Sequence, residues 1–504
     1  MSTRMKYGGN AIPTGSTKIF GWLPYPVFGI GLGTVMASLL IIMFISPVVG
    51  LLVLALTFFV LLVGFVPIGN GDKTVIQLMA KSARHTMRKA DGSATFVNSH
   101  LSNRQNKLGL PGFLNQIRTV DDVDGAGNPV QLLHHKSVDM ATVSLLCSPT
   151  GASTLPQDQV NHQVSSYAGW LHSLSRDNGL LGAMIVVDSM KSSAVPMAES
   201  IMEKMDPNAP EVSRKVLLEA TQALPSKISQ VQTYATLGWK LSNLDEDLEG
   251  AFAEVTQKVP KHASMLAAAG SGQSHTMSGP EYGDLMYTAY NPHRSTEVEK
   301  EIHDGVRTVR PFAGSGPEYL NGTNKRVLLH DGVASMTVMM DVPDPSEITE
   351  RTYEKLFSAS DHVLRKRVAM YYRPIPASRQ RSRIDSSSKG ASTEAGSKRR
   401  FDAFGAKKSA APKLAANQMT SGATLVEWSL MVTVTFEPTR KAQSAAENEL
   451  KNIMAGLTWR FADHVPEAAF HQTLPLGIFP WVYAGVPELW HAAGAQKQDQ
   501  KAGA

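Results

Sequence analysis

Histidines and acidic residues stand side by side at a few places in this sequence, but not at the spacings that catalysis or metal binding needs. His134 is adjacent to His135. Neighbouring side chains on a strand point to opposite faces, so these two cannot share one metal ion. His330 precedes Asp331 and Gly332, and Asp-Gly is typical of a tight hairpin turn, which assigns the aspartate to turn geometry. The histidine pattern therefore predicts no catalytic residue and no metal ligand.

The motifs of nucleotide sites and hydrolases are also missing from the sequence. A phosphate-binding loop ends in Gly-Lys-Ser/Thr because its lysine contacts the terminal phosphates, and the dipeptide Gly-Lys does not occur in the chain. Neither the nucleophile elbow Gly-x-Ser-x-Gly nor the zinc helix His-Glu-x-x-His is found. The single cysteine, Cys147, excludes a disulfide framework and cysteine-based metal clusters. We predict a protein that is not an enzyme and carries no cofactor.

One basic segment is the remaining candidate for ligand binding. Residues Arg365 to Lys413 contain 14 Lys or Arg and 3 Asp or Glu, whereas the whole chain has a net charge of +5, so the remainder is mildly acidic. The segment could neutralise nucleic-acid phosphates while Phe401 and Phe404 stack on bases. Alternatively it binds anionic lipid or a partner protein, or it is a solvated insertion without a ligand. The basic residues concerned are Arg379, Arg381, Arg383, Lys398, Arg399, Arg400, Lys407 and Lys408.

A long uncharged stretch near the N-terminus predicts a membrane hairpin. No Asp, Glu, Lys or Arg occurs between Lys18 and Asp72, and this stretch contains two apolar runs, Val27–Ile45 and Val48–Val66. Each run would form a helix of about 28 Å, close to the roughly 30 Å of a bilayer core, with Pro47 at the corner. Basic residues on both flanks place both termini in the cytoplasm. The expected location is the inner (cytoplasmic) cell membrane, with two spans.

Small residues line one face of the first apolar run. Gly29, Gly33 and Ala37 recur at four-residue spacing. Small residues at this spacing let two helices approach closely. This face would pack either against the second run of the same hairpin or against a partner subunit.

The rest of the chain alternates between strand and helix patterns. Val426–Phe436 alternates apolar and polar residues, as does a run that includes Ala141, Val143, Leu145 and Cys147, and both runs predict strands. The strands are interleaved with amphipathic helical repeats. The predicted fold is therefore a membrane-anchored α+β protein, with an N-terminal two-helix transmembrane hairpin followed by two ferredoxin-like α+β modules.

These patterns divide the chain into six parts. The parts are a cytoplasmic N-terminal segment (1–26), a transmembrane hairpin (27–66), a juxtamembrane segment (67–110), an α+β domain (111–310), a second α+β domain (311–480) and a tail (481–504). The second domain is expected to carry a mobile basic insertion at 385–422, because this stretch has few large apolar residues to bury.

Six short motifs follow one another along the chain. They are Tyr7-Gly8-Gly9, Leu110-Pro111-Gly112, Tyr287-Thr288-Ala289-Tyr290-Asn291-Pro292, His330-Asp331-Gly332, Tyr372-Arg373-Pro374 and Leu474-Pro475-Leu476-Gly477. In their order and spacing the sequence resembles a family of actinobacterial membrane proteins associated with conjugation and type IV-like secretion. In that family a small two-span secretion subunit is fused to a region like the N-terminal domain of the conjugation ATPase. The related ATPases have a motor domain beyond the Leu-Pro-Leu-Gly position, and since 27 residues follow Gly477 here, the resemblance leads us to expect a subunit without that motor.

The resemblance implies a non-enzymatic inner-membrane assembly or scaffold subunit that docks a separate ATPase. Its expected partners are other subunits of the secretion system, including that ATPase, and the lipid bilayer. Nucleic acid and further copies of the chain, as a homo-oligomer, are additional candidates. Two alternative functions remain open, namely a core membrane component of type VII secretion and a membrane-tethered nucleic-acid-binding protein.

Overall fold

The computed structural model describes the chain in several ranges. These are residues 18–19, 23–44, 46–64, 75–99, 109–149, 151, 155–191, 200–206, 208–223, 229–245, 247–340, 353–382, 384–385, 417 and 424–483. Outside them lie the predicted tail from residue 484 on, most of the predicted insertion, the first of the six motifs, and the basic residues Arg383, Lys398, Arg399, Arg400, Lys407 and Lys408.

The described residues form strands β1 to β15 and α-helices α1 to α12. The strands are β1 (Lys18–Ile19), β2 (Leu23–Pro24), β3 (Thr95–Val97), β4 (Ile117–Val123), β5 (Pro129–His135), β6 (Met140–Ser148), β7 (Leu180–Lys191), β8 (Ser229–Lys240), β9 (Gln273–Thr276), β10 (Tyr319–Asn321), β11 (Val327–His330), β12 (Val333–Met340), β13 (Arg365–Pro374), β14 (Val426–Phe436) and β15 (Trp459–Phe461). The α-helices are α1 (Tyr25–Phe44), α2 (Pro47–Gly64), α3 (Val75–Ala90), α4 (Gln157–Leu174), α5 (Glu211–Ala223), α6 (Leu248–Leu266), α7 (Gly279–Tyr290), α8 (Ser295–His303), α9 (Glu354–Phe357), α10 (Arg440–Ile453), α11 (Pro466–Gln472) and α12 (Pro480–Tyr483).

Helices α1 and α2 contact each other through small residues. A Cβ at Gly50 of α2 would lie 2.9 Å from the carbonyl oxygen of Ser38 on α1, so only glycine permits this approach. Ser38 is fully buried, whereas Gly33 and Ala37 are exposed. The contact between the two helices therefore uses Ser38 and Gly50, and not the exposed Gly33 and Ala37.

The helices in the described part of the chain do not include one that is long and apolar enough to cross a membrane. The predicted two-span transmembrane hairpin is therefore wrong, and so is the predicted location in the inner cell membrane.

One large antiparallel sheet organises the rest of the described chain. Thirteen of the described strands belong to it, in the order β3-β10-β11-β12-β14-β13-β7-β8-β6-β5-β4, with β15 paired to β12 and β9 paired to β6. The hairpin between β11 and β12 turns at Asp331 and Gly332, whose φ angles are 38° and 84°. Both positive φ angles are those of the tight turn that the Asp-Gly dipeptide predicted.

The sheet has two halves with the same connectivity. The first half runs β6, α4, β7, β8, α6, β9, and its strands lie in the order β9-β6-β8-β7. The second half runs β12, α9, β13, β14, α10, β15, and its strands lie in the corresponding order β15-β12-β14-β13. The halves join where β7 pairs with β13, from Met190 opposite Arg365 to Ala183 opposite Tyr372.

The predicted fold, a membrane hairpin followed by two ferredoxin-like modules, is wrong because the two halves share a single sheet. If the halves were separate, β7 and β13 would be edge strands of 12 and 10 residues. Long unpaired edges are templates for association with other strands. Pairing β7 with β13 satisfies both edges inside one molecule.

The two faces of the sheet are covered differently. On one face, α4 and α6 pack over the first half, and α9 and α10 pack over the second half. The alternating residues Ala141, Val143, Leu145 and Cys147 of β6 all lie in this core, as their period predicted. The opposite face is covered by α7, α11 and residues 474–483, which together we call the covering layer.

Candidate functional site

A buried ion pair lies where the two halves of the sheet meet. Asp188 on β7 and Arg365 on β13 are both 1% exposed. The guanidinium of Arg365 donates to both carboxylate oxygens of Asp188, with the shortest distance 2.6 Å, and its Nη1 donates to the carbonyl oxygen of Thr288 at 2.7 Å. Burial opposes the charge on Arg365, but Asp188 outweighs burial and raises the pKa of Arg365. The pair thus ties both halves of the sheet to α7.

Arg367, two residues further along β13, is buried with much weaker compensation. Its side chain is 1% exposed, and its Nε lies 3.9 Å from the nearer oxygen of Asp188. Neither Nη atom has a hydrogen-bond partner among the described residues, and the guanidinium carbon lies 4.6 Å from the ring centre of Phe470. Burial, and after it the charge of Arg365, lowers the pKa of Arg367 to about 10. At neutral pH this junction therefore holds two guanidinium groups and one carboxylate.

Two buried histidines meet at Tyr290, the last residue of α7. His330 Nδ1 lies 2.5 Å from the Tyr290 carbonyl oxygen, and His330 Nε2 lies 2.8 Å from Ser335 Oγ. His471 Nε2 lies 2.9 Å from the Tyr290 hydroxyl. Burial, with a smaller contribution from the charge of Arg367, lowers the pKa of both histidines to about 3. Such a histidine is neutral and a poor base at pH 7, so its geometry suits holding α7 in place better than moving protons.

The sequence of α7 explains why this helix reaches the junction. Its N-cap Ser278 and its third residue Glu281 form a capping box, and Pro280 lies in its first turn. Burial raises the pKa of Glu281, but hydrogen bonds from Ser278 and His275 outweigh burial and lower it. The backbone N–H of Ser144 on β6 donates to the hydroxyl of Tyr282 at 3.0 Å. These contacts fix the start of α7 on the first half. Its other end lies over β13, where Arg365 donates to the carbonyl oxygen of Thr288.

Hydroxyl side chains on the sheet bind the backbone of residues 474–483. Ser144 Oγ donates to the carbonyl oxygen of Pro475 at 2.7 Å, and Thr142 Oγ1 donates to that of Leu476 at 3.0 Å. His135 lies 3.0 Å from the same Thr142 hydroxyl, and burial lowers the pKa of His135 to about 3. A buried backbone carbonyl needs such a donor because an unsatisfied one is costly. The serine and threonine residues on this face therefore hold the covering layer on the sheet.

Glycines make room for the aromatic side chains of the covering layer. A Cβ at Gly238 on β8 would lie 2.6 Å from the ring of Phe479, and a Cβ at Gly182 on β7 would lie 2.6 Å from the ring of Trp481. The two rings stack with their centres 5.2 Å apart. Gly477 has a φ of 73°, a left-handed conformation that favours glycine. Larger residues at these glycines would displace residues 474–483 from the sheet.

Five of the six motifs lie in the described residues, and they converge on the covering layer. Asn291, at the end of α7, donates from Nδ2 to the carbonyl oxygen of Asp331 at 3.1 Å. The guanidinium carbon of Arg373 lies 5.9 Å from the ring centre of Trp481. Leu110 belongs to the same apolar core as α7, α11 and residues 474–483. Segments far apart in the sequence thus each place at least one residue in or against the covering layer, although Tyr372 packs in the core on the opposite face and Arg373 is half exposed.

The basic residues predicted as a ligand site are only partly within the described chain. Arg379 and Arg381 lie on one helical turn, at 377–382, and both are exposed. The other six are outside the described residues. The structure therefore places Arg379 and Arg381 together on one exposed helical turn. The sequence predicted no catalytic or metal-binding residues whose positions could be compared.

The buried charges at the junction were not singled out from the sequence. Arg365 and Arg367 were counted at the start of the basic segment, although both are among the most buried residues of the chain. A pattern could have revealed them, since they alternate with Lys366 and Val368 just before the apolar run of β13. Charged residues in a strand whose two faces are both buried indicate a buried polar contact. Identifying Asp188 as the partner required knowing that β7 lies beside β13.

Comparison with known proteins leaves the chain without an assigned family. A scan against protein-family models finds no match, and no curated protein sequence matches significantly. Among the described residues, His, Cys, Asp and Glu side chains do not form a group of three that could hold a metal ion.

Proposed function

We propose that this chain is a non-enzymatic assembly subunit of a type IV-like secretion or conjugation apparatus, and that it docks a separate ATPase. The observation that carries the proposal is the convergence of five motifs on the covering layer, which argues that the resemblance reflects a shared arrangement rather than scattered matches. Fold-level likeness alone would not identify a function. The order of the motifs is what links this chain to secretion proteins. Their shared location at the covering layer gives a physical reason why these motifs occur together.

The ionisable groups of the junction support a structural role. Arg365 and Asp188 are bound to each other and to α7, and His330 and His471 are bound to Tyr290. All four side chains are 1% exposed or less. A catalytic group has to reach a substrate within hydrogen-bond distance, whereas these groups contact other elements of the same fold. These four side chains therefore stabilise the fold, which is the role expected in a subunit that binds its partners through its surface.

Helix α5 offers an exposed apolar surface for docking. It lies on the connection between β7 and β8, and its residues 211–220 are all exposed. The side chains of Val212, Val216 and Leu217 are 74%, 60% and 41% exposed. An amphipathic helix with free apolar side chains can bind in a groove of a partner protein. We assign the contact with the ATPase to this helix.

Co-purification tests the proposal. The full-length chain is expressed with the secretion ATPase encoded nearest to its gene, and the ATPase recovered with it is measured. Val216→Glu combined with Leu217→Glu should reduce recovery at least about tenfold, because charges cannot enter an apolar groove without a large desolvation cost. Ser213→Glu on the same exposed helix is the matched control and should leave recovery unchanged.

Two outcomes would contradict the proposal. If the ATPase does not co-purify with the wild-type chain, the docking role fails. If the purified chain hydrolyses ATP above background without a partner, the non-enzymatic role fails. Equal losses with the double variant and the Ser213→Glu control would remove the assignment to α5.

A further inference from the structure

The sheet ends in two edge strands of very different length. β3, at one end, has three residues, whereas β4, at the other end, has seven. β4 pairs with β5 on one side, and no other described strand pairs with its second edge. An open edge presents a row of backbone N–H and C=O groups to any strand that can pair with it. β4 is therefore the long open edge of the described sheet.

The hairpin between β4 and β5 decides which backbone groups of β4 point outwards. The N–H of Asp124 donates to the carbonyl oxygen of Asn128 at 2.8 Å, so these two residues form a hydrogen-bonded pair beside the turn. Such pairs alternate with non-hydrogen-bonded pairs along an antiparallel ladder. The even-numbered residues of β4 therefore bond to β5, and Thr119 and Asp121 direct their N–H and C=O groups away from the sheet.

The outward backbone groups in the middle of β4 are open to a further strand. Near its two ends, the N–H of Ile117 donates into the preceding turn, and the N–H of Val123 donates to Asp122 Oδ1 at 2.8 Å. Thr119 and Asp121 are exposed, and the described backbone segments supply no partner for their outward groups. These two N–H and two C=O groups can form four hydrogen bonds with the same groups of an identical strand.

The sequence of β4 is complementary to itself. When two copies pair in antiparallel fashion about an axis at Val120, Arg118 of each copy lies opposite Asp122 of the other. In the same register Thr119 lies opposite Asp121, which is the hydrogen-bonded pair that the outward backbone groups require. Opposite charges that face each other across two strands stabilise the pairing.

The neighbouring registers lose this match. An axis at Asp121 brings that carboxylate opposite itself, and like charges directly opposite each other are destabilising. An axis at Thr119 places Arg118 opposite Val120 and leaves Asp122 without a cation opposite. Antiparallel pairing of identical strands has two-fold symmetry. The charges therefore favour one register, and they favour a second copy of this chain as the strand that fits.

Both charges remain available for this pairing. The guanidinium of Arg118 donates to the carbonyl oxygen of Asn115 at 3.2 Å. Asp122 accepts from the N–H of Val123 at 2.8 Å and from the hydroxyl of Thr256 at 3.4 Å. All of these partners are uncharged. Charges on an edge strand usually keep other strands away, but an arginine and an aspartate in these positions attract an identical edge.

We propose that two copies of this chain dimerise through β4, in antiparallel register about a two-fold axis at Val120, so that their two sheets become continuous. The contact is independent of the ATPase contact assigned to α5. A dimer would present that helix twice to the rest of the assembly.

Sedimentation velocity of the full-length protein measures the dimer directly. A strand edge buries less surface than a standard protein interface, so we expect a dissociation constant in the micromolar range and a clear dimer by about 200 µM. Added salt should weaken the dimer, because the Arg118–Asp122 contacts lie at the surface.

Charge reversal separates this contact from other kinds of self-association. Arg118→Asp places two carboxylates opposite each other at both ends of the contact, and Asp122→Arg places two guanidinium groups there. Each variant alone should dimerise at least about tenfold more weakly than the wild type. An equimolar mixture should recover the dimer, because every facing pair in the mixed dimer again has opposite charges. Asp158→Arg, at an exposed position on α4, is the matched control and should dimerise like the wild type.

Disulfide formation tests the register. In the proposed dimer the Cα atoms of the two Val120 residues lie about 4.5 Å apart, within disulfide range. Val120→Cys should therefore cross-link under mild oxidation at least about tenfold faster than Val123→Cys, whose two copies would be about 20 Å apart. Val123 is the matched control because it is 55% exposed and collides freely. The native Cys147 is buried, and burial raises the pKa of its thiol to about 11, so it does not compete.

A wild-type protein that stays monomeric up to about 200 µM would overturn the inference and leave the edge to a strand of another protein. Undiminished dimerisation of both charge variants would also overturn it, since the copies would then associate through another surface. So would a mixture that fails to recover the dimer, or equal cross-linking at 120 and 123. Thermal unfolding checks each variant, and the cysteine pair remains decisive if a charge variant loses stability. These results do not depend on whether the ATPase co-purifies.

Discussion

The two halves of the sheet have the same connectivity, yet they bring opposite charges to their shared edge. The first half contributes Asp188 from β7, and the second contributes Arg365 and Arg367 from β13. They also differ in the connection between their second and third strands. In the first half this connection contains the exposed helix α5, whereas in the second half it begins with an exposed basic turn at 377–382. The common frame thus carries two different surfaces.

This difference shows which features allow the halves to form one sheet. Two identical edges would bring like charges together, which is unfavourable in a low-dielectric interior. Opposite charges on β7 and β13 specify that each edge pairs with the other and not with itself. The three predictions below test this contrast, beginning with the largest expected effect.

Acidification should destabilise the protein through three buried histidines, namely His135 on β5 beside the first half, and His330 and His471, which contact Tyr290 of α7. The pKa values of His135, His330 and His471 in the folded chain are about 3, below the value of about 6.5 in an unfolded chain. The unfolded state therefore takes up protons first, and stability present above pH 6.5 is lost as the pH falls towards 3. Together they should lower the free energy of unfolding by about 4 kcal/mol per pH unit in that window.

Urea unfolding at about pH 7 and about pH 5.5 measures this loss. His135→Asn should remove about a third of the pH dependence, and His330→Gln with His471→Gln about two thirds. An unchanged pH dependence in both variants would show that other groups cause it, and the assignment to these histidines would fail.

Asp188→Asn should have the next largest effect, because it leaves both guanidinium groups of the second half without a carboxylate. Removing one partner of a buried ion pair costs about 3–5 kcal/mol. The free energy of unfolding from urea denaturation should fall by this amount. Asp158→Asn on the exposed start of α4 is the control, with an expected change below about 0.5 kcal/mol. A loss below about 1 kcal/mol in Asp188→Asn would mean that the junction does not depend on this charge.

Arg367→Met should give the smallest effect, and with the opposite sign. The side chain of Arg367 already packs on Phe470 and has two Nη atoms without partners among the described residues. Replacing a poorly compensated buried charge by an apolar side chain of similar length should stabilise the protein by about 1–2 kcal/mol. Arg365→Met should instead destabilise it, since Asp188 would lose its partner. Chemical denaturation of both variants decides this, and destabilisation by Arg367→Met would point to an unrecognised role for its charge.

Several local features could be predicted because they depend on residues close in sequence. The turn at Asp331 and Gly332 follows from the conformations that this dipeptide adopts readily. The alternating pattern in β6 and β14 placed the correct residues in the core. Strand β7 extends from Leu180 to Lys191, beyond the apolar run at 183–187. Its polar end, Asp188 and Ser189, is buried between β8 and β13, which local sequence does not reveal.

The errors concern partners that lie far away along the chain. The absence of charge between Lys18 and Asp72 predicted two membrane spans, but the described helices do not include one that is long and apolar enough to cross a membrane. Arg365 and Arg367 were counted with the basic segment by composition, yet both are buried in the sheet.

Periodicity and turn chemistry were thus sufficient for strand faces and for the hairpin turn, since each depends on a few neighbouring residues. The tertiary structure alone decided that two halves form one sheet and that its centre contains charge. Asp188 and Arg365 are 177 residues apart in the sequence. Both are buried only because β7 pairs with β13, and without this pairing each strand would be an exposed edge of its half. Burial reverses the energetic meaning of a charge, from favourable hydration to a need for a partner. Local sequence carries no record of which partner will be present.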